Sequence, residues 1–204
     1  MSDVGYIERL TQNRIIKLFQ EQLGYDYLGN WQDREDNQPI EKAFLKPYLQ
    51  SRGYAEGLIN RALFDLDKAA YADKKSLYDI NKDVYTLLRY GVKVKAEVGE
   101  NTQTVWLIDW QNPANNQFAI AEEVTVRGQH DKRPDIVIYV NGIALGVIEL
   151  KRSTVSVEEG IRQNIDSQKP EFIQQFFSTI QLVMAGNDSE RLRYGSIETK
   201  HKYY

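Results

Sequence analysis

The sequence predicts an α/β (α+β) fold, in which a mixed central sheet is flanked by helices and follows a mainly helical N-terminal part. Two observations predict it. Apolar residues recur at helical spacing as far as residue 90, and every second residue is apolar after Gly91. A helical pattern then follows a strand hairpin, and further strands close the chain. We therefore expect one domain with a helical part at 1–90 and a sheet-rich core at 91–204.

The helical part contains four predicted helices. The first spans 3–23 and is stopped by Gly24. Residues 24–38 are rich in Gly, Asn and Asp, which predicts a loop. The remaining helices are expected at 40–50, 55–70 and 77–90. Ser76 is a suitable N-cap for the last of them.

The sheet-rich part is predicted to contain strands separated by turn signals. These strands are expected at 92–98, 102–110, 118–126, 135–140, 143–151, 179–186 and 192–198. The pair Asn141-Gly142 between two apolar runs is a strong hairpin signal. Ser156 with Glu159 forms a capping-box pattern and predicts a helix over 156–169.

Three charged residues, Asp135, Glu149 and Lys151, lie at the ends of the mainly apolar runs in "RPDIVIYVNGIALGVIELKRS". Alternate side chains of a strand share a face, so Glu149 and Lys151 point one way and Leu150 points the other. The hairpin turn brings Asp135 to the same end. A strict two-residue loop would place Asp135 opposite Ile148 rather than Glu149, so we predict a bulge or another irregularity in this hairpin.

These residues are suited to holding a divalent metal. The carboxylates of Asp135 and Glu149 with the carbonyl of Leu150 form a hard oxygen site of the kind Mg²⁺ prefers. A metal there polarises a phosphodiester and lowers the pKa of a bound water, while Lys151 stabilises the developing charge. The pattern thus indicates metal-assisted phosphodiester hydrolysis. The simpler interpretation is that these are solvated charges at strand ends.

Composition limits the other possibilities. The chain has no cysteine, which excludes disulfides and thiol catalysis. Its net charge of -3 gives no global basic field, so affinity for nucleic acid would have to be local. The sequence contains neither a membrane-length apolar run nor a signal-peptide start, and we expect a soluble, cytoplasmic protein.

The motif Pro134-Asp135 with Glu149-Leu150-Lys151 resembles that of the PD-(D/E)xK nuclease superfamily. More closely, the chain resembles the N-terminal nuclease region of the restriction (R) subunit of type I restriction-modification enzymes. The likeness extends over "TQNRIIKLFQEQLGY", "VWLIDWQNPANNQFAIAEEVTV", the hairpin, "IRQNIDSQKPEFIQQFF" and "QLVMAGNDSERLRYGSIET".

The resemblance implies a restriction-endonuclease-like fold whose catalytic core is 91–204. It implies that Asp135 and Glu149 hold Mg²⁺, that Lys151 assists the attacking water, and that the whole enzyme cuts double-stranded DNA after ATP-driven translocation. Methylation and specificity subunits would be its partners. The chain has no G-x-x-x-x-G-K-[ST] loop, so we expect ATP to be bound by motor domains C-terminal to Tyr204.

The chain departs from the family pattern in two places. Many superfamily members carry a Glu on the first helix near the metal, where this chain has Gln12, which we expect to contribute weakly. Type I subunits also carry Q-x-x-x-Y after the lysine. Here Ser167 follows Gln163, and Phe172 follows Gln168, at the tyrosine spacing. Gln163 is predicted to be an auxiliary catalytic-site residue.

Several other residues are weaker candidates. Phosphate contacts are possible for five cations, Arg127, Lys132, Arg133, Lys151 and Arg152, although each taken singly is expected to be a solvated charge. One of Glu122 and Glu123 could approach the metal, but both are expected to face solvent. The three tryptophans, Trp31, Trp106 and Trp110, are expected to be packing anchors rather than base-stacking platforms.

Two alternatives to the restriction function stay open. One is a stand-alone repair nuclease or resolvase on the same fold. The other is an inactive DNA-binding or docking module, which Gln12 and the missing tyrosine would favour.

Overall fold

The computed structural model describes residues 3–96, 99 and 101–204, with side chains from Arg9 onward. The helices in these ranges are α1 (Asp3–Lys17), α2 (Lys42–Ser51), α3 (Glu56–Ala70), α4 (Leu77–Tyr90) and α5 (Val157–Ser167). The strands are β1 (Asp26–Asn30), β2 (Val92–Val94), β3 (Gln103–Val105), β4 (Phe118–Glu122), β5 (Ile136–Val140), β6 (Ile143–Leu150), β7 (Leu182–Asn187) and β8 (Arg191–Gly195). A π-helical turn, Leu18–Gln22, extends α1.

The central sheet is mixed, as predicted. Its six strands lie in the order β1-β4-β5-β6-β7-β8. The pairs β1–β4 and β6–β7 are parallel, and the other neighbours are antiparallel. Strands β2 and β3 pair with each other in a separate two-stranded sheet. The fold is therefore the mixed sheet with flanking helices that the sequence indicates.

Strands β5 and β6 lie at the centre of the sheet and are buried on both faces. On one face Ile148 and Leu150 belong to an apolar group that includes Ile16 of α1. On the other face Val147 packs in a second apolar group. The side chains of β5 and β6 are therefore held rigidly, because a packed interior leaves few alternative rotamers.

The hairpin between β5 and β6 forms the predicted tight turn. Asn141 and Gly142 have φ values of 53° and 82°, as a type I′ turn requires. The turn is buried. The Asn141 side-chain Nδ2 donates to the Leu107 carbonyl at 2.9 Å, and the Gly142 carbonyl accepts from the Glu41 backbone amide at 2.8 Å. The helical part of the chain therefore covers the hairpin tip.

The predicted irregularity is present in this hairpin. Val140 pairs with Ile143 and Tyr139 with Ala144, but Ile138 pairs with Gly146. Leu145 is thus the extra residue of a β-bulge. Beyond the bulge every partner is shifted by one position.

Other elements differ from the sequence-based expectation. Strand β1 lies within the predicted loop 24–38, where it forms a short parallel edge pair with β4. Strands β2 and β3 are shorter than predicted, and residues 97, 98 and 100 of that region lie outside the described residues. Ser156 caps α5 by accepting from the Glu158 amide, whereas the Glu159 carboxylate pairs with Arg162 rather than completing a capping box. In the part of the chain that the structure describes, no helix has the length and apolar character to cross a membrane.

Candidate active site

Two acidic residues, Asp135 and Glu149, meet at the end of the hairpin opposite its turn; we call them the acidic pair. Ile136 pairs with Ile148, so the same register places Asp135 opposite Glu149. Side chains at directly opposed positions share a face, with Cβ atoms about 5 Å apart. The Leu145 bulge is what creates this opposition, because without it Asp135 would face Ile148.

The surroundings of the acidic pair fix its orientation. The Leu150 amide donates to Asp135 Oδ2 at 2.6 Å. Glu149 is only 3% exposed, and α5 runs directly above it: a Cβ placed on Gly160 would lie 3.4 Å from Glu149 Cγ. Asn164 holds α5 in place by donating to the Met184 carbonyl at 2.8 Å. Glycine at position 160 lets α5 pack closely on β7, because a Cβ there would lie only 3.1 Å from Ala185 Cβ.

Lys151 lies beside the acidic pair. Its Nζ atom donates to Glu149 Oε1 at 2.7 Å and to Gln163 Oε1 at 3.0 Å. Its side chain is 16% exposed, so little water reaches the ammonium group. Gln163, one turn along α5 from Gly160, therefore holds the ammonium in place together with Glu149.

Glu122 is buried, contrary to the expectation that it faces solvent. It is 2% exposed at the end of β4. Arg9 Nη1 and Nη2 donate to its carboxylate at 2.6 and 2.8 Å, and the Tyr27 hydroxyl donates to it at 2.5 Å. Burial acts to raise the pKa of Glu122, but the hydrogen bonds from Arg9 and Tyr27 outweigh it and leave the pKa lowered. Burial and the bond to Glu122 raise the pKa of Tyr27 to about 12.

Gln12 connects this buried carboxylate to the acidic pair. Its Nε2 atom donates to Glu122 Oε2 at 2.9 Å and to the Asp135 carbonyl at 3.4 Å. The side chain is 3% exposed. Because α1 carries both Arg9 and Gln12, one helix is tied to two neighbouring strands at the site. Gln12 thus has a structural part at the site, and the weak contribution expected of it toward the metal stays a prediction.

Glu123 follows β4 with a positive φ of 51°. Its amide donates to the Asp135 carbonyl at 2.9 Å, and its carboxylate pairs with Arg133 at 2.8 Å. The strand has ended at Glu122, and the backbone bends at Glu123. Of the two adjacent glutamates, Glu123 is therefore the one that borders the site.

A cleft of about 560 Å³ opens over these residues. Its lining includes the acidic pair, Lys151, Gln163, Gln12, Glu123, Arg9, Lys132 and Arg133. Of the five cations considered for phosphate contacts, Lys132, Arg133 and Lys151 line the cleft, and Arg127 and Arg152 do not.

Sequence reasoning missed Arg9. The signal for it was its position three residues before Gln12 on the first helix, which places both side chains on one helical face.

The tryptophans have different environments. Trp31 is 6% exposed, which confirms it as a packing anchor. Trp106 and Trp110 are 43% and 46% exposed, so the same expectation is wrong for them. They lie in the loop after β3, away from the cleft.

The sequence as a whole matches a known family. The profile described as "Type I restriction enzyme R protein N terminus" matches residues 6–202. The chain belongs to this family.

Two relatives illustrate the relationship. The type I restriction enzyme EcoprrI endonuclease subunit of Escherichia coli is 31% identical over 100 residues, which cover 48% of this chain and 32% of that protein. The type I restriction enzyme HindI endonuclease subunit of Haemophilus influenzae is 30% identical over 131 residues, which cover 59% of this chain and 12% of that protein. This chain therefore spans about a third of the first relative and about an eighth of the second.

Proposed function

We propose that this member of the R protein N-terminal family is the Mg²⁺-dependent endonuclease part of a type I restriction enzyme, and that it hydrolyses phosphodiester bonds of double-stranded DNA. The observation that supports this most is the bulged register, which sets Asp135 opposite Glu149 with Lys151 beside them. If these residues were only solvated charges at strand ends, no bulge would be needed to place Asp135 opposite Glu149. Glu149 would also be exposed rather than buried.

The residues present fit a magnesium ion. Among the described residues no three or more acidic or histidine side chains gather closely enough to hold a metal. An ion here would therefore be held by Asp135, Glu149 and the Leu150 carbonyl, with water completing its shell, which is the usual way proteins bind Mg²⁺. When bound, it would supply the charge that polarises the phosphodiester and acidifies a water molecule.

The protein's own groups would then position the substrate. The Lys151 ammonium, held between Glu149 and Gln163, would stabilise the negative charge that develops on the phosphoryl oxygens. Gln163 acts as a positioning residue, because its contact with the reacting groups runs through Lys151. Lys132 and Arg133, on the wall of the cleft, would neutralise backbone phosphates without reading the sequence.

The same proposal assigns the remaining parts of the enzyme to partners. An ATP-driven translocase, C-terminal to Tyr204 in the intact subunit, would deliver DNA to the cleft. Separate methylation and specificity subunits would select the DNA and modify it, and the complex would work in the cytoplasm. The relatives are endonuclease subunits, which supports placing this chain within a larger restriction complex.

The test is DNA cleavage by the intact restriction complex with substitutions in this chain. Asp135→Ala and Glu149→Ala should each abolish cleavage while ATP hydrolysis and translocation continue, because only the nuclease centre is altered. Glu158→Ala is the matched control: it removes an exposed carboxylate at the start of α5 and should leave cleavage unchanged. Cleavage at the wild-type rate by either acidic-pair variant would refute the proposal.

A further inference from the structure

A second concave site lies at the opposite end of the molecule from the cleft. It is a cavity of about 320 Å³ whose lining includes Trp106 and Trp110. Tyr54 lines it as well, and we call these three residues the aromatic cradle. Two half-exposed tryptophans line this one cavity. Exposed aromatic side chains grouped in this way are typical of an interaction site.

The cradle is firmly built. The Trp106 amide donates to the Tyr54 hydroxyl at 3.0 Å, and Trp110 Nε1 donates to the Leu88 carbonyl at 2.8 Å. A Cβ on Gly91, whose φ is 73°, would lie 2.5 Å from Thr104 Cγ2 and in ordinary contact, at 3.4 Å, with Trp106 Cδ2. The hydrogen bonds therefore hold the Trp106 backbone and the Trp110 indole in place before any ligand arrives.

The cradle is far from the acidic pair. Asn141 lies at the hairpin tip, and its side-chain Nδ2 donates to the Leu107 carbonyl in the loop that carries the tryptophans. Strand β6 runs from that tip to Leu150, and its eight residues span about 26 Å. A ligand in the cradle is therefore not in contact with the cleft.

The charge around the cradle is positive. Arg89 lies 5.4 Å from the centre of the Trp110 ring. Arg52 also lines the cavity, as does Asp109, whose charge is offset by Arg52 at 2.9 Å and by hydrogen bonds from the Gln111 and Asn112 amides. Arg89 is left as the net charge, and it would attract an anion.

Helix α4 continues the combination of aromatic and basic side chains away from the cradle. Tyr78, Lys82, Tyr85 and Arg89 follow one another at spacings of four, three and four residues, and all four are exposed. Residues at these spacings form one row, which here is about 16 Å long. Its acidic neighbours are engaged locally: Asp79 accepts from Ser76, and Asp83 pairs with Lys75. The row alternates aromatic and basic side chains up to the cradle.

We propose that the aromatic cradle and the α4 row bind single-stranded DNA, with a base stacked between Trp106 and Trp110 and the phosphates on Arg89 and Lys82. Aromatic side chains interleaved with cations are the recurring solution for binding single strands without sequence preference. A proline-rich peptide also fits aromatic grooves, but it has no use for the two cations. The site would hold an unpaired strand remote from the nuclease centre.

The test follows tryptophan fluorescence as an oligothymidylate of about ten nucleotides is added in a chelating buffer. The cleft lining contains no tryptophan and Trp31 is buried, so quenching reports on the cradle. Parallel anisotropy measurements with a labelled oligothymidylate give the affinity. We expect quenching, and a loss of affinity of about fivefold or more in Trp110→Ala.

Several variants make the result specific. Trp110→Phe should retain most of the affinity, and its melting temperature shows that the cradle still folds. Arg89→Ala should reduce the slope of log affinity against log salt by about 0.7. Tyr194→Ala removes an aromatic that is 66% exposed on β8 and should have no effect.

Three outcomes would overturn the proposal. One is wild-type affinity in Trp110→Ala. Another is binding of the oligothymidylate detected by anisotropy with no tryptophan quenching, which would place the strand away from the cradle. The third is quenching by a proline-rich peptide with none by the oligonucleotide.

Discussion

At the scale of single residues, Lys151 is the group whose role is most sharply defined by its contacts. It bridges Glu149 Oε1 and Gln163 Oε1 at 2.7 and 3.0 Å. A residue that stabilises charge in the transition state can be removed without disturbing ground-state metal binding. Metal binding and transition-state stabilisation, the two functions proposed for the site, are therefore separable by substitution.

We expect Lys151→Ala to slow DNA cleavage by the intact complex by about 100-fold or more, while Mn²⁺ affinity is retained. Cleavage rate and metal titration are measured on the same variant. Arg162→Ala, which removes an exposed cation from α5, is the control and should change neither. Unchanged cleavage in Lys151→Ala would show that the ammonium has no catalytic part.

Glu122 provides a prediction about pH. Its pKa is lowered in the folded chain, since the hydrogen bonds from Arg9 and Tyr27 outweigh the opposing effect of burial. A lowered pKa means that its stabilising contribution is complete above the ordinary value of 4.5 and is lost as the pH falls through the folded value.

Glu122→Gln should therefore be less stable than the wild type at neutral pH, and its stability should fall less steeply on acidification below pH 4.5. Urea unfolding at a series of pH values measures this. Glu158→Gln, at an exposed site, should follow the wild-type curve. Parallel curves for wild type and Glu122→Gln would contradict the assignment.

At the scale of secondary-structure elements, the β5–β6 hairpin determines the site. Its Asn-Gly turn and its apolar strands were predictable, because both depend on short-range sequence. The need for a bulge was also predictable, since a two-residue loop alone would misplace Asp135. That Leu145 is the extra residue was not, because any residue of either strand could have been the extra one.

Other elements depended on long-range contacts that sequence patterns do not show. Strand β1 has the composition of a loop and becomes a strand by pairing with β4. Glu122 has the local sequence of a solvated charge, and its burial depends on Arg9, which is 113 residues away. The site's own charges were predictable, but the network that supports them was not.

The buried hairpin tip gives a prediction with a matched control. Gly142 and Gly53 both have a φ of 82°. A Cβ on Gly142 would lie 2.8 Å from the Glu41 carbonyl oxygen, whereas a Cβ on Gly53 would meet nothing within 4 Å. The two glycines share the same backbone strain on substitution and differ in packing.

Both alanine variants should lose about 1 kcal/mol for the left-handed conformation. Gly142→Ala should lose about 1–3 kcal/mol more, because the turn must move away from α2. Urea unfolding of both variants provides the comparison. Equal losses would show that the hairpin tip is not packed as described.

At the scale of the whole molecule, a net charge of -3 is compatible with DNA binding only if the cations are concentrated locally. The cleft brings Lys132, Arg133 and Arg9 together, and its lining also holds Glu123 and Asp131 beside the acidic pair. Each phosphate contact adds an increment to the salt dependence of binding.

In a chelating buffer, Lys132→Ala should weaken binding of duplex DNA and reduce the salt slope by about 0.9. Fluorescence anisotropy at several salt concentrations measures both quantities. Lys46→Ala, which removes a lysine paired with Glu56 on a distant helix, is the control. An unchanged slope in Lys132→Ala would move the duplex away from this cleft.

The central claim is that Asp135 and Glu149 jointly hold one divalent cation. Calorimetric titration of the chain with Mn²⁺ tests it most directly. We predict binding by the wild type and by Glu158→Ala, and loss of binding in both Asp135→Ala and Glu149→Ala. Mn²⁺ binding of wild-type strength in either acidic-pair variant would contradict the claim.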